Sequence, residues 1–412
     1  MFVLPLNLVI KNIKNHFSLI IILTSGLSFF LSNILLKEIF SDTDYGYYSI
    51  LTTVISLVFV YGLLGFEQVV FRYSYQINKS EIATSKQQIY LILGIVMFST
   101  LLSFVLFNKF YSINGYSKIL IFLTMLSCAW SLALFTFFRL NKSYVVSQLI
   151  SNGWKLFLAI TTLCYFVFKI NEFHLFINVL LIFIILITLL FTLLLFNNVQ
   201  FKFNEDIGTK VLLKSFVNFF ISISTFLLLL FGDRFLIENK LGVVVFGDYF
   251  YLTNIIIAPF AIIQNYVGFK RSVFYKQNFT IKAFVNFNKK LIILTIILAV
   301  SVVLFVGFLV KTELLSFDFE KYYSTILLLL LLGMMRLYSS GITAAFEAQT
   351  NLSTLRYTNV AVVVFIILIL TTLIAINFTL NHVITAFIFI WFIKTIVTRQ
   401  FLLKQMTNQQ QM

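Results

Sequence analysis

Apolar residues fill this chain in long blocks, and polar residues gather where the blocks end. Twelve stretches approach the length of about 20 apolar residues that a helix needs to cross a hydrocarbon core. They are 17–36, 47–71, 88–108, 118–138, 147–168, 173–196, 212–237, 243–268, 290–310, 322–345, 357–377 and 382–402. None shows the period-two alternation of an outer-membrane strand, so helices are predicted. The connections are short, the longest running over 269–289. No soluble domain is expected between spans, and the expected fold class is all-α integral membrane with about twelve transmembrane helices.

Composition sharpens this picture. Of 412 residues, 60% are hydrophobic and 11% charged, with a mean hydropathy of +0.99. Soluble domains carry about 25% charge, so lipid must be the solvent for most of this surface. A formal net charge of +15 would suit nucleic acid if the cations were gathered on one domain. Here they are scattered between apolar blocks, and no nucleic-acid partner is expected. Cys128 and Cys164 lie inside apolar runs and read as small buried hydrophobes rather than a disulfide framework. The opening segment, MFVLPLNLVIKNIKNHF, has no small-residue cleavage site, so the first span is expected to remain in the protein.

The distribution of Lys and Arg predicts orientation. With a cytoplasmic N-terminus, most of the 30 basic residues fall on the inside, including clusters in 73–87 and 269–289. Acidic segments SDTDYG, FGDRFLIE and LLSFDFE then fall outside. Both termini are expected in the cytoplasm, in a multi-pass protein of the bacterial inner membrane.

Two short stretches nearly repeat. YGYYSILT (Tyr45 to Thr52) opens the second span, and FGDYFYLT (Phe246 to Thr253) opens the eighth. FLSNILLKE and FGDRFLIEN close the spans immediately before them. The repeats occupy equivalent places in successive sets of six spans, which therefore run the same way through the bilayer. Parallel repeats imply a pseudo-two-fold axis along the membrane normal and a central cavity between two six-helix bundles. The halves are expected at 1–200 and 201–412. In each turn, Gly permits tight passage, while the tyrosines are expected at the interface, ring in lipid and hydroxyl in water. Gly46 and Gly247 should then be equally sensitive to substitution.

An ionisable group at bilayer depth costs about 3 kcal/mol or more, which makes each one a candidate site. Lys155, in SNGWKLFLAI, lies about 12 Å into the fifth span; the alternative is a snorkelling side chain. Arg72, in EQVVFRY, closes the second span with Glu67 about 7.5 Å above it. Glu67 either carries a coupling ion or pairs with a base. Arg336, in GMMRLYSSG, lies about 21 Å along the tenth span. Arg139 closes the fourth span, as cavity residue or simple anchor, and Asp233 and Arg234 form a further candidate charge pair or coupling group near the outer end of the seventh. Cations dominate this set, and a cationic cavity selects an anion, with phosphate the group Arg recognises best. Pro259 breaks the backbone hydrogen bonding of the eighth span and predicts a kink or hinge, flanked by Asn254, Gln264 and Asn265. His16, His174 and His382 stand apart with no metal-ligand spacing, and no metal or cofactor is expected. The acidic pair Asp42 and Asp44 is the one feature that suits a lipid-dependent membrane glycosyltransferase, but such enzymes carry large external loops and none is present here.

The segments YGYYSILT, GLLGFEQVVFRY and FGDRFLIENKLG-VVVFGDYFYLTN resemble those of the Wzx-type O-antigen flippases, within the superfamily of polysaccharide flippases, lipid II flippases and multidrug exporters. The DR-F-(I/L) segment before the LG…(F/Y)G-x-Y turn is the most specific element. The resemblance implies two six-helix bundles, V-shaped around a cavity, and alternating access. The expected substrate is undecaprenyl-diphosphate-linked oligosaccharide, an O-antigen or related repeat unit, moved from the cytoplasmic to the periplasmic leaflet. The family's cationic cavity residues map to Arg72, Lys155 and Arg336. Coupling to a proton or sodium ion is left open, and other polysaccharide-assembly membrane proteins are candidate partners. The alternatives are a multidrug exporter of the same superfamily, or a membrane glycosyltransferase or polymerase.

Overall fold

A computed structural model describes residues 6–78, 80–111, 117–203, 208–312, 317–375 and 378–410. The helices are α1 (Leu6–Ile39), α2 (Asp42–Tyr61), α3 (Phe66–Tyr73), α4 (Lys86–Phe110), α5 (Lys118–Leu140), α6 (Tyr144–Phe168) and α7 (Phe173–Asn198). They continue as α8 (Thr209–Leu241), α9 (Val243–Ile256), α10 (Ala258–Asn278), α11 (Ile281–Thr312), α12 (Tyr323–Gln349), α13 (Leu352–Ala375) and α14 (Leu380–Gln410). Three short strands, β1 (Tyr75–Asn78), β2 (Glu81–Thr84) and β3 (Gln200–Phe203), complete the described secondary structure besides one turn of 3₁₀-helix at Glu320–Tyr322.

Among the described residues, eleven helical segments are long and apolar enough to cross a membrane. The bent pair Val243–Ile256 and Ala258–Gly268 makes a twelfth when counted as one span. Their outward faces are apolar. On α7, Leu186, Leu189 and Leu193 are exposed while Ile184, Thr188, Phe191 and Leu195 are buried. On α11, Ile293, Ile297, Leu304 and Phe308 are exposed. Helix faces of this kind are stable only where the surroundings are hydrocarbon, so the chain is a multi-pass membrane protein.

The described residues group into two compact units, 1–40 with 50–220, and 41–49 with 221–412. In the first unit α1 packs on α6, and α5 packs against α4, α6 and α7. In the second, α12 is central, packing on α10, α11 and α14.

Several local expectations need correction. The segment 73–87 is not a plain loop. β1 pairs antiparallel with β2, and β2 pairs parallel with β3. Lys202 forms an ion pair with Glu81 at 2.9 Å, and Gln76 Nε2 donates to the carbonyl of Asn141 at 3.2 Å. One end of the first unit is thereby tied together across three connections. The segment 269–289 is helical except at Phe279 and Thr280, because α10 and α11 continue beyond their apolar windows. Lys and Gln are good helix formers in water, so the end of hydrophobicity does not end the helix. Cys164 is exposed on the apolar surface, unlike buried Cys128. Of the basic residues counted inside, Lys79 lies outside the described residues.

The second predicted span is broken. Gly62–Gly65 separates α2 from α3, with Leu64 (φ 54°) and Gly65 (φ 88°) both left-handed. A Cβ on Gly62 would stand 2.4 Å from the Cα of Ala129. Ser99 Oγ donates to the Gly62 carbonyl at 2.6 Å, giving that buried acceptor the partner it needs where the helix is interrupted.

Candidate functional site

The candidate residues fall into separate groups within each unit. In the first unit α6 carries Lys155, whose ammonium donates to Asn152 Oδ1 at 3.1 Å. That ammonium lies 5.8 Å from the Trp154 ring and 5.9 Å from the Phe29 ring. Trp154 is 2% exposed, stacked on Phe59 with an interplanar angle of 5° and edge-on to Phe29. A cation over an aromatic face is stabilised, more so when desolvated. Packing between α1, α2 and α6 thus fixes the frame that holds Lys155.

Also in the first unit, α3 and α5 carry Glu67, Arg72 and Arg139. Arg139 sits 4.8 Å from the Phe71 ring. Arg72 is exposed and lies 5.8 Å from the ring of its neighbour Tyr73. Glu67, in the first turn of α3, is 8% exposed, and its Oε2 has no hydrogen-bond partner among the described residues. The N-terminal turn of a helix favours a carboxylate, which supports Glu67 after the break at Gly65. Glu67 and Arg72 form no salt bridge with each other among the described residues.

In the second unit, α8, α9, α12 and α14 bring polar groups together. Tyr249 Oη donates a hydrogen bond to Asp233 Oδ2, and the Arg234 backbone N–H donates to Asp233 Oδ1 at 2.8 Å. The Arg234 guanidinium lies 5.3 Å from the Phe250 ring. Arg336 is within electrostatic reach of Asp233 and 5.7 Å from the Trp391 ring. Its Nε is buried without a hydrogen-bond partner among the described residues.

Lys394 is a further lysine within a spanning helix. It lies near the middle of α14, its ammonium 4.5 Å from the Trp391 ring. The signal was present in the run FIWFIKTIV, where one lysine interrupts an apolar span. Among the described residues Lys155, Arg336 and Lys394 form no ion pair. No family model, curated protein or solved structure matches the chain. Its function must therefore be argued from these side chains.

Pro259 sits in the first turn of α10, and the axes of α9 and α10 differ by 57° there. Just before the bend, Thr253 Oγ1 and Asn254 Nδ2 both donate to the Phe250 carbonyl at 2.8 Å. Just after it, Phe260 packs on Gly333 of α12, where a Cβ would stand 2.7 Å from the ring.

Asp44, of the acidic pair near the start of α2, has a structural use. Ser41 Oγ accepts from the Asp44 backbone N–H at 3.2 Å and donates to Asp44 Oδ2 at 2.7 Å. This reciprocal cap satisfies an otherwise open helix terminus. Four of the five tyrosines of the repeated turns are not at a lipid interface. Tyr45, Tyr48, Tyr249 and Tyr251 are each 0% exposed, because the turns pack on one another instead of facing lipid.

Proposed function

We propose that this chain is a flippase of the Wzx type. It carries undecaprenyl-diphosphate-linked O-antigen or related polysaccharide repeat units from the cytoplasmic to the periplasmic leaflet of the bacterial inner membrane. It works by alternating access between two six-helix bundles around a central cavity, with both termini in the cytoplasm. The observation that carries this reading is the set of cations held within spanning helices without an ion-pair partner: Lys155, Arg336 and Lys394. A cation kept at bilayer depth with no ion-pair partner is a standing attraction for an anion, and a diphosphate headgroup supplies one.

At an effective dielectric of about 20, a unit charge 4 Å from an anion contributes about 4 kcal/mol before desolvation. A diphosphate drawn into a partly dry cavity loses hydration worth several kcal/mol, which two or three such cations offset. Arg72 and Arg139 lie at the helix ends and serve the headgroup before it enters. The bend at Pro259 supplies a place for α9 and α10 to change angle during the cycle. The orientation rests on charge. From Tyr249 to Thr312 the chain has no Asp or Glu, while Lys270, Arg271, Lys276, Lys282, Lys289 and Lys290 cluster about the α10–α11 connection. Multidrug export of cations draws less support, since Asp233 already accepts two hydrogen bonds and has Arg336 in reach.

Deleting the gene and following lipid-linked oligosaccharide tests the proposal. Accumulation on the cytoplasmic leaflet, reversed by the intact chain, is expected. Unchanged export after deletion would remove the reading.

A further inference from the structure

Two of the three tryptophans of this chain stand beside a half-buried lysine in a spanning helix. Trp154 and Lys155 do so in the first unit, and Trp391 and Lys394 in the second. The surroundings of the second pair differ from those of the first in a useful way. Lys155 has a hydrogen-bond acceptor in Asn152. Lys394 has no hydrogen bond or ion pair among the described residues.

The helices beside Lys394 supply two more donors without partners. Thr325 Oγ1 bonds to Asn381 Oδ1 at 2.7 Å, and Arg336 lies 5.7 Å from the Trp391 ring. These two contacts fix α12 and α14 in parallel register. Ser339 then lies one turn beyond Arg336 on the same face of α12, level with Lys394, which lies one turn beyond Trp391. Ser339 is 1% exposed and its hydroxyl has no hydrogen-bond partner among the described residues. The Arg336 Nε is likewise buried and unpartnered. A buried donor left unsatisfied costs about 1–3 kcal/mol, and here a guanidinium and a hydroxyl one turn apart on α12 share the condition.

The level of this cluster is informative. Lys394 lies about 20 Å along α14 from Asn381, well inside a hydrocarbon core about 30 Å thick. Two carboxylates are within electrostatic reach, Asp233 of Arg336 and Glu347 of Lys394. Neither forms an ion pair with these cations among the described residues. The carboxylates moderate the positive field without occupying the donors. Trp391 is 2% exposed and forms the wall against which both cations rest.

We infer that Arg336, Ser339 and Lys394, backed by Trp391, form a phosphate-binding site contained wholly within the second unit. Arg supplies planar donors that match phosphate oxygens, Lys a point charge, and Ser a neutral donor. The ligand is a phosphoryl group, either free or borne on a lipid. As a step in export, the inference rests on the flippase reading, since a chain with one phosphate site in each unit can hold the headgroup at two stages of transfer. As a binding site, it can be tested without transport.

The test uses the full chain in phosphatidylcholine liposomes with Trp130→Phe and Trp154→Phe, which leaves Trp391 as the only indole. Inorganic pyrophosphate and farnesyl diphosphate are titrated separately. A saturable change in Trp391 emission is expected with at least one. A response to both assigns a site open to free phosphate, and a response to farnesyl diphosphate alone assigns a lipid-borne ligand. Lys394→Gln should weaken binding tenfold or more, while Lys394→Arg should stay within a few fold of the parent. Should Lys394→Gln fail to fold, Ser339→Ala, which removes one small donor, should still weaken binding about threefold.

Silence of Trp391 toward both probes overturns the site, as does unchanged binding in folded Lys394→Gln or, where that variant fails to fold, in Ser339→Ala. The two readings separate cleanly. A responsive Trp391 with normal export after gene deletion keeps the site and removes the flippase. A silent Trp391 with lipid-linked oligosaccharide accumulating in the deletion strain does the reverse.

Discussion

Gly46 and Gly247, the glycines of the two repeated turns, pack directly against each other. A Cβ on Gly247 would stand 3.1 Å from the Cα of Gly46, and one on Gly46 would stand 2.5 Å from the Val243 carbonyl oxygen. Both belong to the second unit, where Tyr45 also meets the rings of Phe250 and Tyr251. The near-repetition YGYYSILT and FGDYFYLT therefore has a physical consequence: each turn lacks a side chain where the other approaches. The expected equal sensitivity does not follow. Gly46 meets backbone that cannot yield, whereas Gly247 needs a shift of only tenths of an ångström. Gly46→Ala should destabilise the protein by the about 1–3 kcal/mol of a forced overpacking, and Gly247→Ala by less. Thermal melting of the purified variants in detergent checks the order; equal melting temperatures would count against this contact.

Topology can be read with single cysteines in a background lacking Cys128 and Cys164. Asn78 on β1, Asn286 on α11 and Thr43 on α2 are all exposed. The proposed orientation predicts that only Thr43→Cys reacts with a membrane-impermeant thiol reagent added to intact spheroplasts. Labelling of Asn78→Cys or Asn286→Cys from outside would reverse or break the arrangement.

Gly333 exists to admit Phe260, which is 0% exposed and follows Pro259 at the bend. Gly333→Ala should cost about 1–3 kcal/mol by overpacking, and Phe260→Leu should restore part of that loss. The cycle of single and double variants isolates the contact. Additive losses would mean that the two residues do not interact.

Much of this fold could be read from residue order because lipid is its solvent. A helix that must satisfy its own backbone and face hydrocarbon declares itself by composition alone. What escaped depends on partners distant in sequence. QFKF at 200–203 is too short to announce a strand, and only its pairing with Glu81–Thr84 makes it one. The burial of Tyr45 and Tyr249 was hidden because a tyrosine suits a lipid interface and a packed turn equally well. Pro259 declared its bend, since a missing N–H is a local fact. Lys394 and Trp391, one turn apart on α14, were visible in sequence, but only the packing of α12 on α14 brings Arg336 to the same ring. That Arg336 lacks a partner at Nε was invisible, because sequence does not say which carboxylates approach.

Pro259→Ala restores the missing N–H and should stabilise a straighter helix across the α9–α10 junction. If the bend works as a hinge, export per molecule should fall severalfold while abundance and melting temperature hold or rise. Unaltered export would leave the bend a fixed feature of the fold.

The central claim is that this chain moves a diphosphate-linked oligosaccharide across the bilayer using cations held within its spanning helices. Its most direct measurement is transport by the purified chain in proteoliposomes. A fluorescent undecaprenyl-diphosphate oligosaccharide is placed in one leaflet, and its arrival in the other is followed by an impermeant quencher. The account predicts transfer well above protein-free vesicles, at least tenfold slower with Lys155→Ala at equal protein incorporation, and partly recovered with Lys155→Arg. Transfer no faster than in protein-free vesicles, or equal rates for the intact chain and Lys155→Ala, would contradict it.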